Sequence, residues 1–271
     1  MATAYIGVSG WRYARWRGDF YPRGLRQKDE LAYAAERMTS VEINGSFYSL
    51  QRPSSYEAWR DATPDDFTFA VKGGRFITHM KQLRDVETPL ANFFASGILA
   101  LGDKLGPFLW QLPERMTFDP ELLEQFFALL PRTTEEAARL AALHDDKVPE
   151  QRALTSALTQ RTLLHALEPR HDSFDAPEAR AFLTEQGICT VIADSAGRWP
   201  VLHDETAGFR YVRLHGETAL YSGGYADASL DAWAERVRSW LADGFDTYVY
   251  FDNDADGRAP HDAVALLARL A

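Results

Sequence analysis

Short apolar runs in this chain repeatedly close on polar or ionisable residues placed at alternate positions. Val41-Glu42-Ile43-Asn44 shows the pattern, and Leu167-Glu168-Pro169-Arg170, Tyr211-Val212-Arg213-Leu214-His215 and Tyr248-Val249-Tyr250-Phe251-Asp252 repeat it. Residues two apart in a strand share a face. Each run therefore sends its charges to one side and its apolar groups to the other. Charges aimed at an interior are costly unless paired or used.

Eight strand-like runs are predicted, near 5–9, 40–44, 67–72, 107–112, 162–168, 188–194, 209–215 and 246–252. Helix-like stretches lie between them. Asp29 to Met38 carries Leu31, Ala34, Ala35 and Met38 at helical spacing, and Pro53 to Ala62 opens with good helix starters. Pro89 to Leu101, Pro120 to Leu130 with Asp119 as N-cap, Pro177 to Gln186 ahead of Gly187, Leu230 to Leu241 and Pro260 to Leu270 follow. Strands alternating with helices imply parallel pairing. Eight such units in 271 residues fit a single-domain α/β (β/α)8 TIM barrel. A doubly wound sheet is the competitor. However, Gly7-Val8-Ser9-Gly10-Trp11 is not the glycine fingerprint of a dinucleotide fold, and Trp11 would obstruct a pyrophosphate. Residues 133–160 break the rhythm: Thr133 to Asp146 reads as a helix and Lys147 to Gln160 as a polar segment. Together they form an enlarged connection between strands 4 and 5, either a lid or packing on the outer wall.

Composition narrows the function classes. A net charge of −10 argues against a broad electropositive surface for nucleic acid or anionic membrane. The lone Cys189 excludes an internal disulfide and fits a reducing, cytoplasmic setting. Its apolar surroundings point to a buried, inert thiol. The first residues lack the look of a signal peptide, and no apolar run reaches the roughly 18 residues of a membrane helix.

In a (β/α)8 barrel the active face lies at the C-terminal strand ends. The runs deliver Gly7, Ser9, Trp11 and Tyr13 there, then Glu42 and Asn44 with Phe47 and Tyr48, Lys72 with His79, and Gln111. Glu168 with Arg170 and His171, Asp194, Arg213 with His215, and Asp252, Asn253 and Asp254 complete the ring. Each alone has an ordinary explanation as a cap, a loop salt bridge or a satisfied histidine. Their recurrence at equivalent ends of many strands points to a ligand or catalytic site, because so many buried ions stabilise a fold poorly.

These segments carry a resemblance. Gly7-Val8-Ser9-Gly10-Trp11 with Tyr13, Val41 to Tyr48, Phe69-Ala70-Val71-Lys72 with Thr78-His79, and Gln111-Leu112-Pro113 resemble the DUF72 (YecE-like) family of TIM-barrel proteins. So do Glu168-Pro169-Arg170-His171, Tyr211 to Gly216 and Tyr250 to Asp254, almost end to end. Asp252 departs from the family's usual Phe-Asn-Asn-Asp run, and Phe174 stands where the family often has Trp. The resemblance implies the barrel and no assigned reaction.

Three readings of the site follow. In the first, an enzyme acts on a small anionic or polyhydroxylated substrate. Lys72, Arg170 and Arg213 hold its phosphate, sulfate or carboxylate. Glu42, Glu168 or Asp194 serve as acid or base, and His215 shuttles protons. Trp11, Tyr13, Phe47 and Tyr48 wall the pocket, while Ser9, Asn44, His79, Gln111, Asp252, Asn253 and Asp254 complete its polar lining. A glycosidase pair of Glu42 and Glu168 is disfavoured, since the nearby cations hold both ionised. In the second, Glu168, Asp194, His215 and Asp252 or Asp254 bind a divalent metal, as in phosphodiesterases or sugar isomerases of the endonuclease IV and xylose isomerase type. The scarcity of histidine at strand ends argues against a trinuclear zinc centre. No metal is assigned and the cofactor is left unknown. In the third, aromatic residues interleaved with Arg15, Arg17, Arg23 and Arg26 bind nucleic acid without catalysis, which the acidic net charge disfavours. Oligomeric state is not legible.

Overall fold

The computed structural model describes residues 1–203 and 205–271. Among the described residues nine parallel strands build one sheet: β1 Ala4–Ser9, β2 Ser40–Ile43, β3 Thr68–Lys72, β4 Leu105–Gln111, β5 His165–Glu168, β6 Cys189–Thr190, β7 Ile192–Ser195, β8 Phe209–Gly216 and β9 Asp246–Phe251. Their order is β6-β5-β4-β3-β2-β1-β9-β8-β7. The sheet curls so that the last strand pairs with the first, with Gly7 beside Tyr250.

The two ends of that order, β6 and β7, are halves of the single run expected over 188–194, parted at Val191. One half pairs with β5 and the other with β8. Beside β6 the place of β8 is taken by the Thr206 hydroxyl, which accepts from the Thr190 N–H (2.8 Å) and donates to the Ile188 carbonyl (2.6 Å). The nine strands thus form the eight staves of a nearly closed TIM-like barrel. The strand expected over 162–168 is also shorter: Thr162 instead bridges to Thr133.

Helices surround the barrel: α1 Glu30–Ala35, α2 Gly45–Tyr48 (at its mouth), α3 Pro53–Asp61, α4 Glu87–Ala95, α5 Pro120–Leu129, α6 Thr134–Ala141, α7 Pro177–Gln186, α8 Asp227–Ala242 and α9 Ala259–Leu270. Asp119 caps α5 by accepting from the Leu122 N–H at 3.1 Å. Gly187, in the left-handed region, ends α7. The helix expected over Pro89 to Leu101 is broken. Gly97 sits at φ 111, where a side chain would strike the Pro53 backbone 2.4 Å away, and a 3₁₀ segment Ile98–Lys104 follows. The helix expected over Thr133 to Asp146 stops at Ala141. The 133–160 connection packs on the outer wall against α4: Leu154 N–H donates to the Ala95 carbonyl (2.9 Å) and Asn92 to Asp145 (2.9 Å).

Two apolar clusters result. The larger lies between strands and helices. The smaller fills the lower barrel with Ala70, Leu109, Ala166, Cys189, Val191, Phe209, Tyr211, Tyr248 and Tyr250. Burial pushes the Cys189 thiol up to about 12, in keeping with an inert packing role. No helix among the described residues is long and apolar enough to cross a membrane.

Candidate active site

Above that apolar plug the inward parity of the strands changes chemistry. β1 contributes Ser9, β2 Glu42, β3 Lys72, β4 Gln111, β5 Glu168, β8 Arg213 and His215, and the turn after β9 Asp252. Arg213 is the hub. Its Nε and Nη2 donate side-on to Glu42 (3.1 and 2.8 Å), its Nη1 to Glu168 (2.8 Å), and its Nη2 also to Asp252 (3.0 Å) and Ser9 Oγ (3.1 Å). Ser9 and Tyr211 hydroxyls donate to Glu42, each at 2.6 Å. His215 places Nδ1 3.1 Å from Asp252 and Nε2 3.3 Å from Glu168. Arg170 donates twice to Glu168 Oε1 (3.0 and 2.8 Å) and stacks on Trp199, with Cζ 3.5 Å from the ring centre.

Burial opposes ionisation of Glu168, yet the charges of Arg170, Arg213 and His215 hold it well below the usual carboxylate range. Asp252 follows the same logic: burial opposes, Arg213 and His215 prevail, and its value falls to about 2. Asp254 goes the other way. Burial, reinforced by the Asp252 charge, pushes it up to about 8. Trp16 Nε1 donates to its Oδ1 (3.0 Å), while Oδ2 is buried without a partner.

This network floors a cavity of about 760 Å³ at the C-terminal strand ends. Of the residues expected from sequence, Tyr13, Asn44, Phe47, Tyr48, Lys72, His79, Gln111, Arg170, Asp252 and Asp254 line it. Ser9, Glu42, Glu168, Arg213 and His215 lie fully buried beneath. Arg213 cannot clamp an anion as expected, because its donors are already committed to three carboxylates and a hydroxyl. Glu168 likewise has both oxygens engaged, so it positions the two arginines rather than offering a lone pair to a ligand.

Three expected residues are elsewhere. Asp194 pairs in register with Leu214, the outward parity, and its carboxyl is raised by burial while it contacts Tyr225. Asn253 faces away to bond Gly223 O (2.7 Å) and Asp262 (2.8 Å). Trp11 packs edge-on against Trp59 in a separate crevice. Sequence reasoning missed Arg75 and Tyr221 on the rim, and considered Arg15 only for nucleic acid. Arg75 follows the Gly73-Gly74 pair after β3, a signal that was available; Tyr221 belongs to an irregular loop without one.

The carboxylates of Glu42, Glu168 and Asp252 converge on a guanidinium rather than on an open point. Among the described residues no three His, Cys, Asp or Glu side chains are grouped to hold a metal ion. The aromatic residues of the 11–26 segment do not form a stacking face either, since Trp16 and Tyr21 are fully buried and Arg17 pairs with Glu30.

A sequence model described as "Protein of unknown function DUF72" matches residues 5–271. The chain belongs to the DUF72 family. YecE of Escherichia coli K12, named a UPF0759 protein, is 30% identical over 126 residues, 46% of this chain and 43% of YecE. YunF of Bacillus subtilis is 35% identical over 78 residues, 27% of this chain and 25% of YunF. The alignments thus span less than half the length of these curated relatives. A DUF72 crystal structure from Thermotoga maritima superposes with a TM-score of 0.78 at 25% identity, covering 99% of each chain. One from Enterococcus faecalis gives 0.71 at 18% identity, covering 100% of this chain and 98% of that one. The DUF72 fold therefore holds along the whole chain.

Proposed function

We propose that this DUF72 protein is an enzyme that binds a small anionic substrate, including phosphorylated or carboxylated polyols, at the mouth of the barrel. One observation carries the reading: the cavity of a chain with net charge −10 is lined by four cations, Arg15, Lys72, Arg75 and Arg170. Among the described residues its acids are Asp252, paired with Arg213, and Asp254, largely protonated near neutrality. His79 senses the same field. Burial, then Lys72, Arg170, Arg75 and Arg115, pull it down to about 4, so it presents a neutral imidazole. An open cavity of that sign, set in low-dielectric protein walls, concentrates anions. The split between Asp252 and Asp254 supports acid–base chemistry, because one carboxyl keeps its proton near pH 7 beside another that does not.

The test is thermal unfolding with phosphate, sulfate and small carboxylates. A ligand at 100-fold its Kd adds about 2.7 kcal/mol of stability. A wild-type melting temperature indifferent to every anion in the panel would sink the reading.

A further inference from the structure

Two of the five lysines in the chain, Lys72 and Lys104, are buried, and they are used in opposite ways. Lys104 is saturated: its Nζ donates to Arg60 O (2.6 Å), Thr63 O (2.7 Å) and Thr63 Oγ1 (3.3 Å), tying down the end of α3. Lys72 sits at the end of β3 and lines the cavity, 6% exposed. Among the described residues its Nζ has neither a hydrogen-bond acceptor nor a carboxylate within salt-bridge distance; it rests 4.4 Å from the centre of the Phe47 ring. Its amine therefore meets the cavity rather than a set of protein acceptors, where a bound ligand can reach it.

We infer that Lys72 is a nucleophile that forms an imine with the carbonyl carbon of a small anionic aldehyde, ketone or 2-oxo acid. The inference deepens the anion-binding reading and rests on it. Arg170 and Arg75 hold the anionic end while Nζ faces the carbonyl. The lone pair of neutral Nζ attacks carbon and the carbonyl π pair moves to oxygen, which takes a proton. Nitrogen then loses a proton, the hydroxyl leaves with a second one as water, and a C=N bond remains. No electrons are gained or lost. The Asp254 carboxyl, which lines the same cavity, is the proton source. Burial, then the Arg213 charge, lower Lys72 to about 8, which supplies neutral amine close to physiological pH.

The test uses the full chain with pyruvate or dihydroxyacetone phosphate as probe, reduced by sodium borohydride and mapped by peptide mass. One adduct is expected, on Lys72, with Lys104 unlabelled. Lys72→Arg keeps the positive charge but offers no amine nucleophile, and is expected to lose the adduct. No adduct with either probe, in wild-type protein that phosphate still stabilises, overturns the imine and leaves anion binding intact. Labelling spread over Lys28, Lys81 and Lys147 as strongly as over Lys72 also overturns it. Absent stabilisation by phosphate, sulfate and small carboxylates alike, together with selective labelling of Lys72 by uncharged glycolaldehyde, supports the nucleophile and removes the anion reading.

Discussion

Arg213 and Glu42 face each other side-on across the barrel axis, from β8 and β2, with both side chains fully shielded from water. Their two parallel hydrogen bonds fix the guanidinium plane, and that plane sets the positions of Glu168 and Asp252 on its other edges. Buried ion clusters contribute little net stability, but breaking one strands its remaining charges. Arg213→Met is therefore expected to destabilise the fold by about 3–5 kcal/mol, read from urea unfolding midpoints. Arg213→Lys should recover little of this, because an ammonium cannot make the planar fork. A loss below about 1 kcal/mol for Arg213→Met would mean the cluster relaxes freely and is not the frame of the site.

Asp252 and Asp254 give the protein opposite pH signatures. Asp254 is raised from 3.8 to about 8 in the fold. Its protonated form therefore adds stability that is fully present below about pH 4 and is lost as pH rises through about 8. Asp252 is lowered from 3.8 to about 2, so its contribution is present above about pH 4 and is lost as pH falls through about 2. Asp254→Asn should flatten the decline in unfolding free energy between pH 5 and 8, where one proton gives a slope of at most about 1.4 kcal/mol per pH unit. Chemical denaturation across that window measures it. A wild-type slope unchanged by Asp254→Asn would show that the carboxyl is ionised throughout.

The barrel and the ring of strand ends were legible because parity is a local property. Glu42, Lys72, Glu168, Arg213 and Asp252 each follow an alternating run, and the pleat alone aims them inward. Depth was not legible. Nothing in Tyr211-Val212-Arg213-Leu214-His215 says that Arg213 lies beneath the cavity floor, because that depends on three carboxylates brought from other strands. Asp194 failed for a different reason. The sixth run breaks at Val191 and its second half pairs Ala193, not Asp194, with Arg213, so the parity counted along the sequence selected the wrong face. Arg75 and Tyr221 stand on connections after β3 and β8, where no periodicity governs side-chain direction.

Gly73 controls the seat of Lys72. A Cβ there would lie 2.3 Å from the Trp110 ring, itself fully buried and bonded through Nε1 to His165 Nδ1 at 3.1 Å. Neither ring nor strand can retreat without disturbing β4. Gly73→Ala should cost about 1–3 kcal/mol by overpacking and should shift the Lys72 ammonium. Reduced borohydride trapping with unchanged labelling of the other lysines would report that shift. A variant as stable as wild type would show that β3 and β4 move apart more readily than their registers suggest.

Arg170 is the cavity arginine with the most to lose. Its guanidinium is held between Glu168 and the Trp199 face, and Trp199 is in turn held by Nε1 donating to Glu114 at 2.7 Å. This leaves the edge of the guanidinium toward the cavity available to an oxyanion. Arg170→Gln keeps a donor near the position of Nε but removes the charge and the outer Nη groups, while Arg213 continues to pair with Glu168. The variant is expected to fold with a loss of a few kcal/mol and to lose most phosphate-dependent stabilisation, since a charge-assisted contact is worth about 1.5–3 kcal/mol. Trp199→Leu should weaken phosphate stabilisation less, by loosening the arginine without removing it. Thermal shifts against phosphate concentration for both variants separate the roles. Equal, large losses would mean that the stacking is as necessary as the charge; no loss in either variant would assign anion capture to Lys72, Arg75 and Arg15 instead.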